Sequence, residues 1–304
     1  MAIFAGFDLG GSGLKAGLVD GGKLLYKTQA ATPPAAEGFF ALVEAMWADL
    51  RKEASGPIAA AGFGLPGIFD LKTRRILQSP HTGGLDGIDI EPALMRRLGV
   101  PVRADNDANL AAYAEWRHGA GRGVENLILL TIGTGIGAGI ITDGKLVRGG
   151  RGYAGEAGHM SVRPDGEACA CGGTGCLETE ASARAIVRRY RETAGANGPL
   201  TAEDIQGRAA AGDEAARKAI ADAARYLGIG LGILINLLNP EKILLGGGVA
   251  EAGDDFLLPA AAEARRRSFP DAFRACRIER AALGNDAGLI GAAAWAAETP
   301  GRSF

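Results

Sequence analysis

The chain has 304 residues, 33 basic and 35 acidic, for a formal net charge of −2. That length suffices for one large or two medium domains with a substantial core, and the near-neutral balance argues against sequence-independent binding to nucleic acid, which needs a concentrated basic face. No signal segment and no apolar run of membrane-spanning length free of breakers is read, so a cytoplasmic protein acting on a small molecule, without nucleic-acid or membrane partners, is expected.

From the N-terminus, IFAGFDLGG, LKAGLVDGG and KLLYKTQA read as three successive strands, with Asp20-Gly21-Gly22 as a hairpin signal. Residues 37–54 carry apolar positions at helical spacing, and PIAAAGFGLPG follows as a buried strand. A helix near 91–98, a short strand at Val100–Ala104 and a capped helix from NDANLAAYAEWRHG complete a β-β-β-α-β-α-β-α order. LILLTIGTGIGAGIITDGKLVRGG then repeats the strand, glycine turn, strand and hairpin of the opening, with Asp143-Gly144 at the hairpin. Helices are expected at ASARAIVRRYRETA, EDIQGRAAAG and EAARKAIADAARYLGIGLGILINLL, strands at KILLGGG and CRIERAAL, and a final helix at NDAGLIGAAAWAAE. Two β-β-β openings with a glycine turn at the same point indicate an α/β chain that duplicates its fold.

Glycine is the compositional outlier, with 48 residues, roughly twice the usual share of about 7%. It clusters after apolar runs, where bare backbone can approach a phosphate. In DLGGSGLK, Asp8 ends the first strand, Gly10, Gly11 and Ser12 form the turn, and Lys15 follows. No G-K-[ST] closes it, so it is not a Walker loop; an ordinary hairpin fits as well as a phosphate cradle with magnesium at Asp8. Gly133, Thr134 and Gly135 present the same chemistry in the second half, and the following strand disfavours a Rossmann site. Gly247 and Gly248 form a third turn, suited to the adenosine end of a nucleotide.

At Ala104–Asn109, ADNDAN packs two carboxylates and two amides at a strand-to-helix junction. A carboxylate there suits a general base for a hydroxyl proton, while helix capping is the plainer use. Between Gly158 and Glu178, His159 precedes Cys169, Cys171 and Cys176 in the spacing H-x9-C-x-C-x4-C. Reduced cytoplasmic thiols disfavour a disulfide, and nucleophilic catalysis asks for one activated thiolate rather than three. A closed Cys3His zinc set of structural type is expected, with Cys276 as a core thiol.

These features together resemble the ROK kinases, a branch of the actin/hexokinase/heat-shock ATPase superfamily. The family's D-x-G-G-T-x-x-K appears as Asp8 to Lys15 with Ser12 for threonine, its N-D-A-N as Asn106 to Asn109, its E-x-G-H as Glu156 to His159, and its C-x-C-G-x-x-G-C around the cysteines. The resemblance implies two RNase-H-like lobes with a cleft between them, one at 1–117 with 287–304, the other at 118–286 with a zinc-stapled loop. It implies Asp107 as base and Gly64, Asn106, Glu156, His159 and Glu178 on the sugar side. ATP with Mg2+, a structural Zn2+ and a homodimer also follow from it, and the glucokinases are the members whose motif set this chain shares. Relatives often carry S-P-N-x-x-G-W, where this chain has Ser79-Pro80-His81-Thr82-Gly83-Gly84-Leu85; without that asparagine and tryptophan, fructose, mannose and N-acetylhexosamines stay open beside glucose. The family's repressors carry a DNA-binding domain ahead of the first glycine motif, which here begins at residue 8, so a repressor is not expected. A sugar sensor without catalysis is the remaining alternative.

Overall fold

The computed structural model describes residues 2–10, 13–78, 84–250 and 253–298. The first stretch runs β1 (Ile3–Gly10), β2 (Gly13–Asp20), β3 (Lys23–Ala30), α1 (Ala36–Glu53), β4 (Ile58–Leu65), β5 (Ile68–Asp70), β6 (Arg75–Gln78), α2 (Ile90–Leu98), β7 (Val102–Asn106) and α3 (Asp107–His118). It continues with β8 (Leu127–Ile132), β9 (Ile136–Thr142), β10 (Lys145–Leu146), α4 (Leu177–Ala181), α5 (Ala183–Ala194), α6 (Ala202–Ala210) and α7 (Glu214–Leu238). β11 (Lys242–Gly246), α8 (Asp254–Arg267), α9 (Pro270–Ala275), β12 (Arg277–Arg280) and α10 (Ala287–Ala297) close the chain.

Two five-stranded sheets have the same internal order, β3-β2-β1-β4-β7 and β10-β9-β8-β11-β12. In the first, β1, β2 and β3 are antiparallel, and β4 and β7 run parallel to β1. In the second, β11 is parallel to β8 and to β12. The duplication legible in the glycine turns is therefore a duplication of sheet order. Both hairpins turn on two residues of positive φ, Gly21-Gly22 and Asp143-Gly144, the conformation that matches the twist of the flanking strands.

The chain divides into two compact units, 1–123 with 139–155 and 283–304, and 124–138 with 156–282. Residues 139–155 thus cluster with the first unit, although the sequence order assigned them to the second lobe; the division runs inside β9. In the first unit, Phe7 and Phe63 stack at 4.4 Å between ring centroids, and α1 contributes Phe39, Val43, Trp47 and Leu50 to the core. A Cβ added to Gly6 or Gly62 would overlap the backbone carbonyls of Leu289 or Ala292 on α10. Glycine at those two positions lets the helix backbone lie directly on β1 and β4.

The second unit is built on α7, whose Leu227, Leu231, Leu234 and Ile235 are buried. Among the described residues, this helix is long and apolar enough to cross a membrane by length and composition. Its packing along α8 and against α4, α5 and α6 makes it the core helix of the unit.

Several local expectations change. The strand expected to end at Ala104 runs on to Asn106, and the helix expected from 181 breaks at Ser182, whose side chain caps α5. The hairpin β5–β6 and the helices α8 and α9 are additions. They fall where short or arginine-rich segments give little periodicity, and α8 carries Pro259 in its interior.

Candidate active site

In the first unit, β-sheet register brings the acidic residues together. Asp8 pairs with Gly64, which pairs with Asp105, across the carboxyl ends of β1, β4 and β7. Ligands collect at such strand ends in α/β folds because helix starts and loops converge there. A Cβ added to Gly64 would lie 3.5 Å from Asp107 Cα and 3.6 Å from Asp8 Oδ1. Gly64 is thus the small residue flanked by both carboxylate-bearing positions.

Asp107 is the first residue of α3, where the helix dipole favours an ionised carboxylate. Its Oδ1 accepts the Ala108 N–H at 2.9 Å. Capping falls to Asn106, whose Oδ1 accepts the Asn109 N–H at 3.1 Å and whose Nδ2 donates to Gly67 O at 3.2 Å. Asp105 is 3% exposed and sits beneath both: Oδ1 accepts from Asn106 N at 2.8 Å and Asn109 Nδ2 at 3.0 Å, while Oδ2 pairs with Arg148 Nε at 3.1 Å. Arg148 in turn stacks on Trp295 at 4.3 Å. No motif announced Arg148; its signal is visible only once 139–155 joins this unit.

Asp8 lies opposite Lys15 in the β1–β2 register, with Lys15 Nζ 3.9 Å from Asp8 Oδ2 and donating to Asn285 O at 2.8 Å. Burial pushes the Asp8 carboxyl above its ordinary value, against the pull of Lys15. A carboxylate that pays for desolvation in this way is a fitting ligand for a cation, which would restore its charged form. Gly10 pairs with Gly13 at the end of the hairpin; Gly11 and Ser12 lie outside the described residues.

In the second unit, the turn at Gly133, Thr134 and Gly135 joins β8 to β9. The Gly133 N–H is taken by Gly135 O at 2.9 Å, within the turn itself. Gly133 O accepts from Ala183 N at 2.9 Å, and Thr134 O from Arg184 Nε at 2.9 Å. Gly247, at φ 85°, packs against the backbone of Ile132, where a Cβ would meet the Ile132 carbonyl oxygen at 2.5 Å. Val249 N donates to that same oxygen at 3.1 Å. The second and third glycine turns are neighbours, with Gly248 following. Beside Thr134 opens a cavity of about 520 Å3, lined by Ala183, Arg184, Val187, Leu200 and Thr201 among others.

Glu178 is in the first turn of α4. Its Oε2 accepts the Ile136 N–H at 3.0 Å and its Oε1 accepts from Arg184 Nη2 at 3.1 Å. Glu156 precedes the short 3-10 turn Ala157–His159, and its Oε2 is 3.9 Å from His159 Nε2. Burial raises the Glu156 carboxyl above its usual range; His159 opposes this and the charge of Glu178 adds to it.

The ligand atoms of His159, Cys169, Cys171 and Cys176 all lie within 4.8 Å of one another. Cys169 Sγ is 3.6 Å from His159 Nδ1, and Cys171 Sγ is 3.6 Å from Cys176 Sγ. Four ligands arranged tetrahedrally about zinc, at about 2.3 Å for sulfur and 2.0–2.1 Å for nitrogen, stand roughly 3.5–3.8 Å apart. The donor set and its spacing therefore fit zinc, bound through His159 Nδ1. The bridge pairs Ser161 with Cys176 and Ala168 with Thr174 frame this knuckle. Fully buried Glu180 anchors it through Arg189 and Arg163.

The ROK family model matches residues 4–299. The chain belongs to the ROK family. A glucokinase of Halalkalibacterium halodurans is 38% identical to this ROK chain, covering 95% of it and 93% of the relative. A ROK family glucokinase from Streptomyces griseus, solved in complex with glucose and AMPPNP, superposes with a TM-score of 0.86 at 36% identity, covering 97% and 99% of the two chains. A xylose repressor of Caldicellulosiruptor bescii is 33% identical over 77% of this chain and 61% of its own length. The α/β fold with two sheets of equal order is that of the ROK kinase structures.

Proposed function

We propose that this ROK protein is an ATP-dependent hexose kinase acting on a sugar 6-hydroxyl, with glucose as the hexose. The observation that carries the reading is the placement of Asp107 at the start of α3, beside Asp8 across the side-chain-free Gly64. A kinase needs a carboxylate in reach of the hydroxyl proton and a charged site for the donor phosphates at the same place. The resemblance to glucokinases supports glucose over other hexoses.

In this reading Asp107 accepts the proton of the 6-hydroxyl as its oxygen bonds to the γ-phosphorus and the bond to ADP breaks. Asn106, Glu156, His159 and Glu178 hold the remaining hydroxyls. The glycine turns at Gly10, Gly11 and Ser12, at Gly133 to Gly135 and at Gly247–Gly248 serve the nucleotide, with Lys15 near its phosphates. The apolar side of the cavity beside Thr134, formed by Ala183, Val187 and Leu200, is suited to a base. Asp8 would hold the magnesium that travels with ATP; that ion supplies neutralising charge to the phosphates. His159, Cys169, Cys171 and Cys176 would hold zinc, whose part is structural. Cytoplasmic location, a role in glycolysis and a homodimer belong to the same proposal.

A coupled assay with ATP over glucose, mannose, fructose, N-acetylglucosamine and N-acetylmannosamine tests it, with glucose expected to give the highest kcat/KM. Asp107→Asn should lower kcat by about 10²- to 10⁴-fold while calorimetry still detects glucose binding. Phosphate transfer to none of these sugars would refute the kinase reading, and near-wild-type turnover by the Asn variant would refute the base.

A further inference from the structure

The second unit contains a link that neither motif spacing nor the proposed chemistry requires. Arg184, the second residue of α5, donates from Nε to the carbonyl of Thr134 at 2.9 Å and from Nη2 to Glu178 Oε1 at 3.1 Å. The other oxygen of Glu178 accepts the N–H of Ile136, immediately after the turn. A Cβ at Gly135 would overlap the Glu178 carboxylate, so this approach depends on glycine there. One guanidinium and one carboxylate therefore clamp Thr134 and Ile136 on either side of Gly135.

Arg184 also lines the cavity beside Thr134. A guanidinium has five N–H donors in a rigid fork, and two are engaged in this clamp. The others are available to the anionic or hydroxyl oxygens of a ligand in that cavity or at the turn. Ligand bonds there hold the fork in place, and the fork holds Glu178. Glu178 in turn keeps acceptor capacity on both oxygens for sugar hydroxyls, because a carboxylate accepts about four hydrogen bonds.

We propose that Arg184 is a positioning residue that couples donor-nucleotide binding to hexose binding through Glu178. This rests on the reading of Glu178 as a hexose ligand and of Gly133 to Gly135 as a phosphate turn. Coupling between sites is reciprocal, so the nucleotide tightens the sugar by the same factor as the sugar tightens the nucleotide. An ordinary surface ion pair has no such consequence, since it contributes little and touches neither ligand.

The test is calorimetric titration of the full zinc-loaded chain with glucose, alone and with a saturating non-hydrolysable ATP analogue and Mg2+. The wild type should bind glucose about fivefold or more tightly when the analogue is present. The Arg184 side chain is 63% exposed, so Arg184→Ala should fold normally, and its ratio should fall to within about twofold of one. Arg184→Lys keeps the charge but not the fork and should give an intermediate ratio. If Arg184→Ala binds the analogue too weakly to saturate, the lysine variant decides the question. A wild-type ratio of one, or a variant that keeps the wild-type ratio, overturns the coupling. The kinase reading fails separately, by absence of phosphate transfer in the wild type.

Discussion

At the scale of single residues, the same side-chain type serves different ends according to what surrounds it. Asp107 begins a helix half-buried, with Oδ1 accepting the Ala108 N–H, whereas Asp105, two residues earlier, is sunk beneath Asn106 and Asn109 and paired with Arg148. Asp70 is a third case. It is fully buried by surface exposure and receives Tyr153 Oη at 2.7 Å, Lys72 N at 2.8 Å, Thr73 N at 3.1 Å and the Arg151 guanidinium. The Tyr153 hydroxyl, then the backbone donors and Arg151, hold its carboxyl well below the ordinary carboxylate range. A depressed native pKa makes the ionised form more favourable in the folded chain, so its stabilisation is complete above about pH 4 and is lost as pH falls toward the native value. Asp70→Asn should therefore lower Tm at pH 7, and the gap to wild type should narrow below about pH 4. Equal gaps at pH 3 and pH 7 would show that the contribution does not depend on the charge.

At the scale of elements, two packing devices set the geometry of the candidate site. The first is the seat of α10 on β1 and β4, possible because Gly6 and Gly62 carry no side chain. Gly62→Ala would drive a methyl into the Ala292 carbonyl; such overpacking costs typically about 1–3 kcal/mol. Chemical denaturation should show a reduced midpoint with an unchanged slope. The second device is the knuckle, in which the Cys169–Gly173 and Gly172–Cys169 backbone bonds close a tight turn. Glu156 lies three residues before His159 and Glu178 two after Cys176, so zinc held by the Cys3His set would fix the segment that carries both glutamates. Cys171→Ala removes the exposed ligand, and elemental analysis should find well under one zinc per chain together with a lower Tm. A full equivalent retained by this variant would contradict the ligand set.

For the whole molecule, binding of substrate to the native state alone raises stability by mass action, about 2.7 kcal/mol at one hundred times the dissociation constant. Glucose at that excess should raise Tm by several degrees in both the wild type and Asp107→Asn, while an aldose that is not bound leaves it unchanged. Loss of the shift in the Asn variant would place Asp107 in binding rather than in proton transfer. The sequence by itself determined the duplicated α/β order, the three glycine turns, the acid-amide junction at Ala104–Asn109 and the Cys3His cluster. Those rest on local chemistry: hairpin dihedrals, strand alternation and ligand spacing are written in adjacent residues. Tertiary structure decided what depends on partners far along the chain. It grouped 139–155 with the first unit, paired Arg148 with Asp105, gave the capping role to Asn106, occupied the Gly133 N–H within its own turn and joined Arg184 to both Thr134 and Glu178. No periodicity marks an arginine on an amphipathic helix as a clamp, because its bonds are set by packing across dozens of residues. The motif around His159, Cys169, Cys171 and Cys176 was legible as a metal set; that Glu178, at the end of its segment, meets the strand after the Gly133–Gly135 turn followed only once Ile136 and Glu178 were seen bonded.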